Sequence, residues 1–225
     1  MALAARFFAA SRVGIVVGAD GMLARGRFVS YSEISAVHYH WRRVSEPSYD
    51  GIPGTTIEMN ISIDLIDGER LKLTDSFPDG LRDAIDDARA AWAAVERDSE
   101  RDRAAVARGE RTGPEWLHAL RALGSGTAGA YRGIRVDVHQ ISRLLDDVRA
   151  SPSGRVAAAV VLAASGDPTV ASKLRIAAGA TANPLLRAGL ESVADAHGDA
   201  ALAEALEAID EADRELPPAG RYHHG

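Results

Sequence analysis

Four helix-capping residues recur every 16 positions in the last third of the chain: Ser151, Asp167, Asn183 and Asp199. Side-chain oxygens of these types accept from the orphan backbone N–H groups of a first helical turn. Three are followed by proline, Pro152, Pro168 and Pro184, which fits the first helical position because its missing N–H costs nothing there. The last three copies share an apolar pattern. Val170, Leu186 and Leu202 follow the cap by three, Leu174, Leu190 and Leu206 by seven, and Ala177, Val193 and Ile209 by ten. That is one stripe of an amphipathic helix, written three times. In the first copy Gly154, Ala158 and Val161 hold those places. Each copy is expected to be a helix of about three turns plus a link, and two copies a hairpin of about 32 residues.

This segment, RVAAAVVLAASGDPTVASKLRIAAGATANPLLRAGLESVADAHGD, resembles a short HEAT-like array. The resemblance implies stacked helical hairpins that serve as a binding scaffold. The same stripe also allows a plain helical bundle packed on the chain's own N-terminal half. Arg187, four after Asn183, lies off the stripe and is expected at a solvated surface.

The N-terminal half alternates instead. Val13, Ile15 and Val17 share one face, and Ala19-Asp20-Gly21 follows as a hairpin turn. Residues 22–29 read as the return strand and 30–41 as a third, with Val37, Tyr39 and Trp41 on one face. Residues 42–54 read as a loop, because Pro47, Gly51, Pro53 and Gly54 fall there. Ile57, Met59, Ile61, Ile63 and Leu65 alternate with Glu58, Asn60, Ser62 and Asp64, the pattern of a half-buried strand. Asp67-Gly68 marks another hairpin turn, with Leu71 and Leu73 on its return strand. After Pro78, Asp79 is expected to cap a helix with the stripe Leu81, Ile85, Ala88, Trp92 and Val95. Residues 96–103 read as a solvated helical extension and a domain boundary. Further helices are expected at 114–123 and 136–149, the latter facing inward through Val138, Ile141, Leu145 and Val148. The tail 220–225 is expected to be disordered.

The stretches GIVVGADGMLARGRFVSYSEISAVHY, IEMNISIDLIDGERLKLTDS and DGLRDAIDDARAAWAAV together resemble a bacterial PH-like domain. That implies a curved antiparallel sheet closed by a C-terminal helix. The chain departs from lipid-binding members at the first hairpin loop, which carries the acid Asp20 where a phosphate grip needs several cations. Arg25 and Arg27, read on the next strand, leave a weak basic face.

The fold class expected is therefore α+β, with a sheet domain over residues 1–107 and an all-helical domain over 108–225. Net charge is −6 and uneven: residues 1–54 hold six Arg against four acids, and the remainder 20 bases against 28 acids. An acidic helical half argues against general nucleic-acid binding. There is no cysteine, which removes disulfides and thiolate chemistry. No apolar run approaches the roughly 20 residues of a membrane span. The opening MALAARFFAAS has no basic lead-in and is not expected to be a signal peptide; the alternatives expected for it are the end of a longer product and the first strand of the fold. The location expected is cytoplasmic, with membrane association only if an anchoring segment lies upstream.

Sites of chemistry are sparse. Gly124-Ser125-Gly126-Thr127-Ala128-Gly129 matches a dinucleotide fingerprint, but a helix rather than a strand leads into it. Glu115 and His118 have the spacing of one arm of a di-metal site without the second arm. His38 and His40 share a strand face but lack a third ligand. Asp86-Asp87 and Asp146-Asp147 are expected on polar helix faces. No cofactor and no metal are expected. The function expected is a non-catalytic scaffold with a protein partner, and Trp41, Arg42 and Arg43, with Arg25 and Arg27, are the candidate binding residues, since aromatics and Arg are enriched at interface hot spots. An enzyme with a site in the cleft between the domains is the alternative, and a peripheral membrane-binding module a third.

Overall fold

The computed structural model describes residues 8–10, 14–46, 54–75, 77, 80–94, 100–127, 138–195 and 198–215. The fold is α+β. Strands β1 (Phe8–Ala10), β2 (Ile15–Val17), β3 (Gly21–Ala24) and β4 (Arg27–Ser30) form a four-stranded antiparallel sheet in chain order. A 3-10 turn, Tyr31–Glu33, leads into a second antiparallel sheet of β5 (Ile34–Glu46), β6 (Gly54–Leu65) and β7 (Arg70–Asp75). Helix α1 (Leu81–Ala94) follows. Then come α2 (Glu100–Val106), α3 (Gly113–Gly124), α4 (Val138–Asp146), α5 (Pro152–Ala164), α6 (Val170–Ala180), α7 (Pro184–Ala194) and α8 (Asp199–Glu215).

Alternation sets the register of the second sheet. Val37 pairs with Ile63, Tyr39 with Ile61 and Trp41 with Met59, so these share one face, because directly opposite residues point the same way. Leu81 and Ile85 of α1 are buried in the same cluster as Ile61, Ile63 and, from the first sheet, Ile15, Val17, Met22 and Val29. Residues 22–29 are two strands rather than one. Arg25 and Gly26 both have positive φ, 52° and 81°, which makes a tight turn of the kind favoured between antiparallel strands. Arg25 is therefore a turn residue, not a strand residue. The strands also invade the expected 42–54 loop: β5 runs on to Glu46 and β6 begins at Gly54.

The helical half has its own core, from Val106 to Ile209. Val106 packs α2 into it, so α2 associates with α4 and α5 although it precedes the expected boundary at 107. At its centre is α5, whose residues Arg155 to Leu162 are all buried. A helix apolar all round is a buried helix. Around α5 pack α3, α4, α7 and α8, so the first of the four copies touches both the third and the fourth. Glycine allows the closest approaches. A Cβ on Gly124 would collide with the Val161 carbonyl oxygen, and one on Gly189 would come 2.7 Å from Ile209 and 2.9 Å from Val156. Gly124 is thus the last residue of α3, kept small for packing on α5.

Ser151 caps α5 by accepting from Gly154 N, and Asn183 caps α7 by accepting from Leu185 N and Leu186 N. Asp167 does not cap its helix. It accepts from Thr169 N and Thr169 Oγ1, each at 2.8 Å, and Thr169 is the N-cap of α6. Asp199 is the first residue of α8, and its carboxylate meets Arg121 at 2.5 Å. Eight of the nine stripe residues in the last three copies are buried, and Ala177 is half-buried. Arg187 is not the solvated residue expected: it is half-buried and donates to the Thr181 carbonyl at 2.7 Å. Asp147 also departs, being 4% exposed and paired with Arg103 at 3.2 Å. The expectations for residues 1–7, Val13, 47–53, Pro78, Asp79, 95–99, 128–137 and 216–225 lie outside the described residues.

Among the described residues the halves are joined at two places. The first is the β2–β3 turn on the α6–α7 loop. Ala19 N donates to Ala180 O at 2.9 Å. The Asp20 carboxylate accepts from Thr181 Oγ1, from Ala182 N at 2.8 Å and from Asn183 N at 3.4 Å. A Cβ on Gly18 would collide with Ala182, and Tyr31 Oη donates to Gly18 O at 3.0 Å. The second is Arg149. Its Nε donates to Trp92 O at 3.0 Å and its guanidinium to Ala93 O at 2.9 Å, which satisfies last-turn carbonyls of α1. The guanidinium also lies 4.5 Å from the Trp92 ring centre, a cation–π contact.

Candidate interaction surface

The β5–β6 hairpin outgrows its cover. β7 pairs with β6 only between Met59 and Asp64, so residues 42–46 and 54–58 continue as a two-stranded ribbon. Along the core-side face, Ile61 and Ile63 are fully buried and Met59 nearly so, while Tyr39, opposite Ile61, is held by α1. Tyr39 Oη donates to Asp86 at 2.8 Å and Arg82 lies over its ring at 5.1 Å; burial and the Asp86 carboxylate together push the Tyr39 phenol up. The next residues outward lose that cover. Trp41 is 60% exposed and Ile57 62%. Arg43, paired with Ile57, extends the same face, and Arg42, paired with Glu58, lies on the other. Both arginines are exposed.

Of the five candidate binding residues, Trp41 at the base of the ribbon and Arg43 on it share one face, and Arg42 lies on the other. Arg25 and Arg27 stand apart, on the β3–β4 hairpin. Arg27 donates from both terminal guanidinium nitrogens to Glu69, at 2.6 and 2.9 Å, and this pairing raises its pKa and lowers that of Glu69. A cation so paired presents little free charge to a phosphate. Asp20 is not a loop tip in solvent but an acceptor buried at the seam, 6% exposed. Behind it lies Arg155, 4% exposed, whose Nε donates to Leu145 O at 2.9 Å. Burial pushes its guanidinium down, and Asp20, Asp146 and Asp147 act against that. The seam where an inter-domain active site was the alternative thus has a hydrogen-bonded contact at this point.

The remaining candidates resolve into local roles. His38 Nε2 lies 3.1 Å from Asp64, which also takes two bonds from Arg70 at 2.5 and 2.9 Å. Arg70 first, and His38 after it, hold the Asp64 carboxyl down at about 2. The His38 and His40 rings stack 6.4 Å apart. Among the described residues no group of three or more His, Asp or Glu side chains could hold a metal. Glu115 accepts from Thr112 N and Oγ1 at 3.0 Å each, closing a capping box on α3. No helix among the described residues is long and apolar enough to cross a membrane.

A cleft of about 540 Å³ opens where α3, α5, α7 and α8 meet. Val160, Ala163, Ala164, Val193 and Leu202 form its apolar floor, and the Arg121–Asp199 ion pair stands at its side. Ser125 and Thr127, from the glycine-rich run, also line it, and both hydroxyls donate to the Ala122 carbonyl. Sequence reasoning missed this cleft because its residues come from four separate segments. No protein-family model matches the chain, and no curated protein and no solved structure matches it either.

Proposed function

We propose that this chain is a non-catalytic interaction protein, a PH-like sheet half joined to a HEAT-like helical half, that docks a protein partner on the β5–β6 ribbon. The observation that carries this reading is the pair Trp41 and Ile57, exposed on the face whose inner residues form the core. Large apolar side chains left in water forgo about 1.5–3 kcal/mol each that burial would supply. An aromatic beside arginines is the usual composition of an interface hot spot. The seam supports the reading in a second way: by joining the halves at Asp20 and Arg149 it gives the ribbon a firm base.

The test is affinity capture with the full chain and two variants, Trp41→Ser with Ile57→Ser, and Ile176→Ser as an exposed control on α6. The expected result is one protein retained by wild type and the control and lost with the ribbon variant. A partner retained equally by all three would place docking elsewhere. If liposomes of anionic lipid, rather than a protein, retain the wild type and release the ribbon variant, the membrane alternative stands instead.

A further inference from the structure

We infer that the cleft between α3, α5, α7 and α8 binds a small zwitterion with an apolar side chain, the chemistry of an apolar α-amino acid. Its volume of about 540 Å³ lies within the range of small-molecule sites, which are mostly apolar with a few placed polar groups. The floor supplies the apolar part: Ala163, Ala164 and Val160 from α5, Val193 from α7 and Leu202 from α8. The small side chains of α5 make the space: α3 rests on that helix through Gly124, against Val161 and Ala164, and leaves Ala163 exposed.

The charges decide the class. Arg121 and Asp199 both line the cleft and meet each other at 2.5 Å, with side chains 39% and 77% exposed. Opposite charges that already hold each other favour neither a simple anion nor a simple cation, because either ligand would leave one protein charge without its partner. A zwitterion replaces both halves of the pair at once. Its carboxylate takes the planar donors of Arg121, and its ammonium takes the Asp199 carboxylate. An exposed ion pair is weak, so its separation opposes binding little. His118, one turn before Arg121 on α3, lines the same side and adds a donor for the carboxylate. Among the described residues the glycine-rich run enters through Ser125 and Thr127, whose hydroxyls are turned to the Ala122 carbonyl of α3.

The experiment is calorimetric titration of the full chain with L-phenylalanine, phenethylamine and 3-phenylpropionate, which share the apolar body and differ in charge. Saturable one-to-one binding of phenylalanine is expected, about tenfold or more tighter than either analogue. Arg121→Gln should remove the advantage over phenethylamine, and Asp199→Asn the advantage over 3-phenylpropionate. Ala163→Trp, a change at an exposed helix position, should abolish binding by filling the cleft while leaving the thermal transition in place. No saturable binding up to about 10 mM, a limit set by the affinities such sites reach, would overturn the inference. So would an analogue that binds as well as phenylalanine, or binding that survives Ala163→Trp.

Discussion

Replacing Asp20 by alanine should do more damage than any other single change in the first sheet's loops. The carboxylate is buried and accepts three hydrogen bonds, from Thr181 Oγ1, Ala182 N and Asn183 N. Asn183 N keeps a second acceptor in Thr181 Oγ1 at 3.2 Å, and the Thr181 hydroxyl can rotate. Ala182 N has no such substitute among the described bonds. Leaving one buried donor unmet costs about 1–3 kcal/mol, and each bond to a charged acceptor contributes about 1.5–3 kcal/mol. The lost counter-charge for buried Arg155 adds to that. Because these terms overlap, about 3 kcal/mol is the working figure for Asp20→Ala. Asp20→Asn, which keeps one acceptor oxygen, should cost about half as much. The assay is urea unfolding followed by tryptophan fluorescence, since Trp92 lies in the sheet half and Trp116 in the helical core. Asp20→Ala should lower stability and separate the two halves into distinct transitions. A cost below about 0.5 kcal/mol, the scale of an ordinary surface change, with one unbroken transition, would refute the argument that this carboxylate joins the halves.

Other perturbations follow from the same packing. Leu174→Ala and Leu190→Ala, both fully buried, should cost about 2–5 kcal/mol each in urea unfolding. Asn183→Ala should cost about 0.5–2 kcal/mol as a lost cap; Arg187→Ala, whose guanidinium holds the Thr181 carbonyl, should cost about 1 kcal/mol, and an effect equal to Leu190→Ala would show that the leucine stripe is not the core. Gly124→Val, placed against the Val161 carbonyl, should cost about 1–3 kcal/mol or more through overpacking; a thermal transition unmoved from wild type would mean that α3 does not rest on α5 there. Asp64 should titrate at about 2, below the ordinary value of 3.8. Its contribution to stability is therefore present above pH 4 and lost as pH falls from there through the folded value. Carbon-detected NMR of the carboxyl group checks this, and a midpoint near 3.8 would remove the Arg70 pairing.

Local periodicity made most elements legible. The Met59-to-Leu65 alternation, the stripe of α1 and the stripe leucines of the last three helices each report a buried face directly. What escaped was set by contacts distant in sequence. Arg25 carries no turn signature, since arginine rarely takes positive φ, so the β3–β4 hairpin read as one strand. Asp167 resembled a cap by spacing, yet Thr169 took that place, because an Asx turn and an N-cap use the same side-chain chemistry. Asp20 read as an exposed turn acid because nothing at 18–21 shows that Thr181 and Ala182, some 160 residues on, supply its donors. Trp41 shared its alternation with Val37 and Tyr39 and was also a candidate binding residue, and the structure leaves it 60% exposed. The cleft was invisible for a similar reason: Arg121 and Asp199 meet only through tertiary packing.

The claim that the ribbon docks a protein is tested most directly by site-specific crosslinking. A photoreactive residue would replace Trp41, Ile57 or, as a control, Ile176, which is 71% exposed on α6, in the cells that make the protein. The account predicts one shared protein adduct from positions 41 and 57 and none of that mass from 176. The same adducts from all three positions, or no adduct from the ribbon, would contradict it.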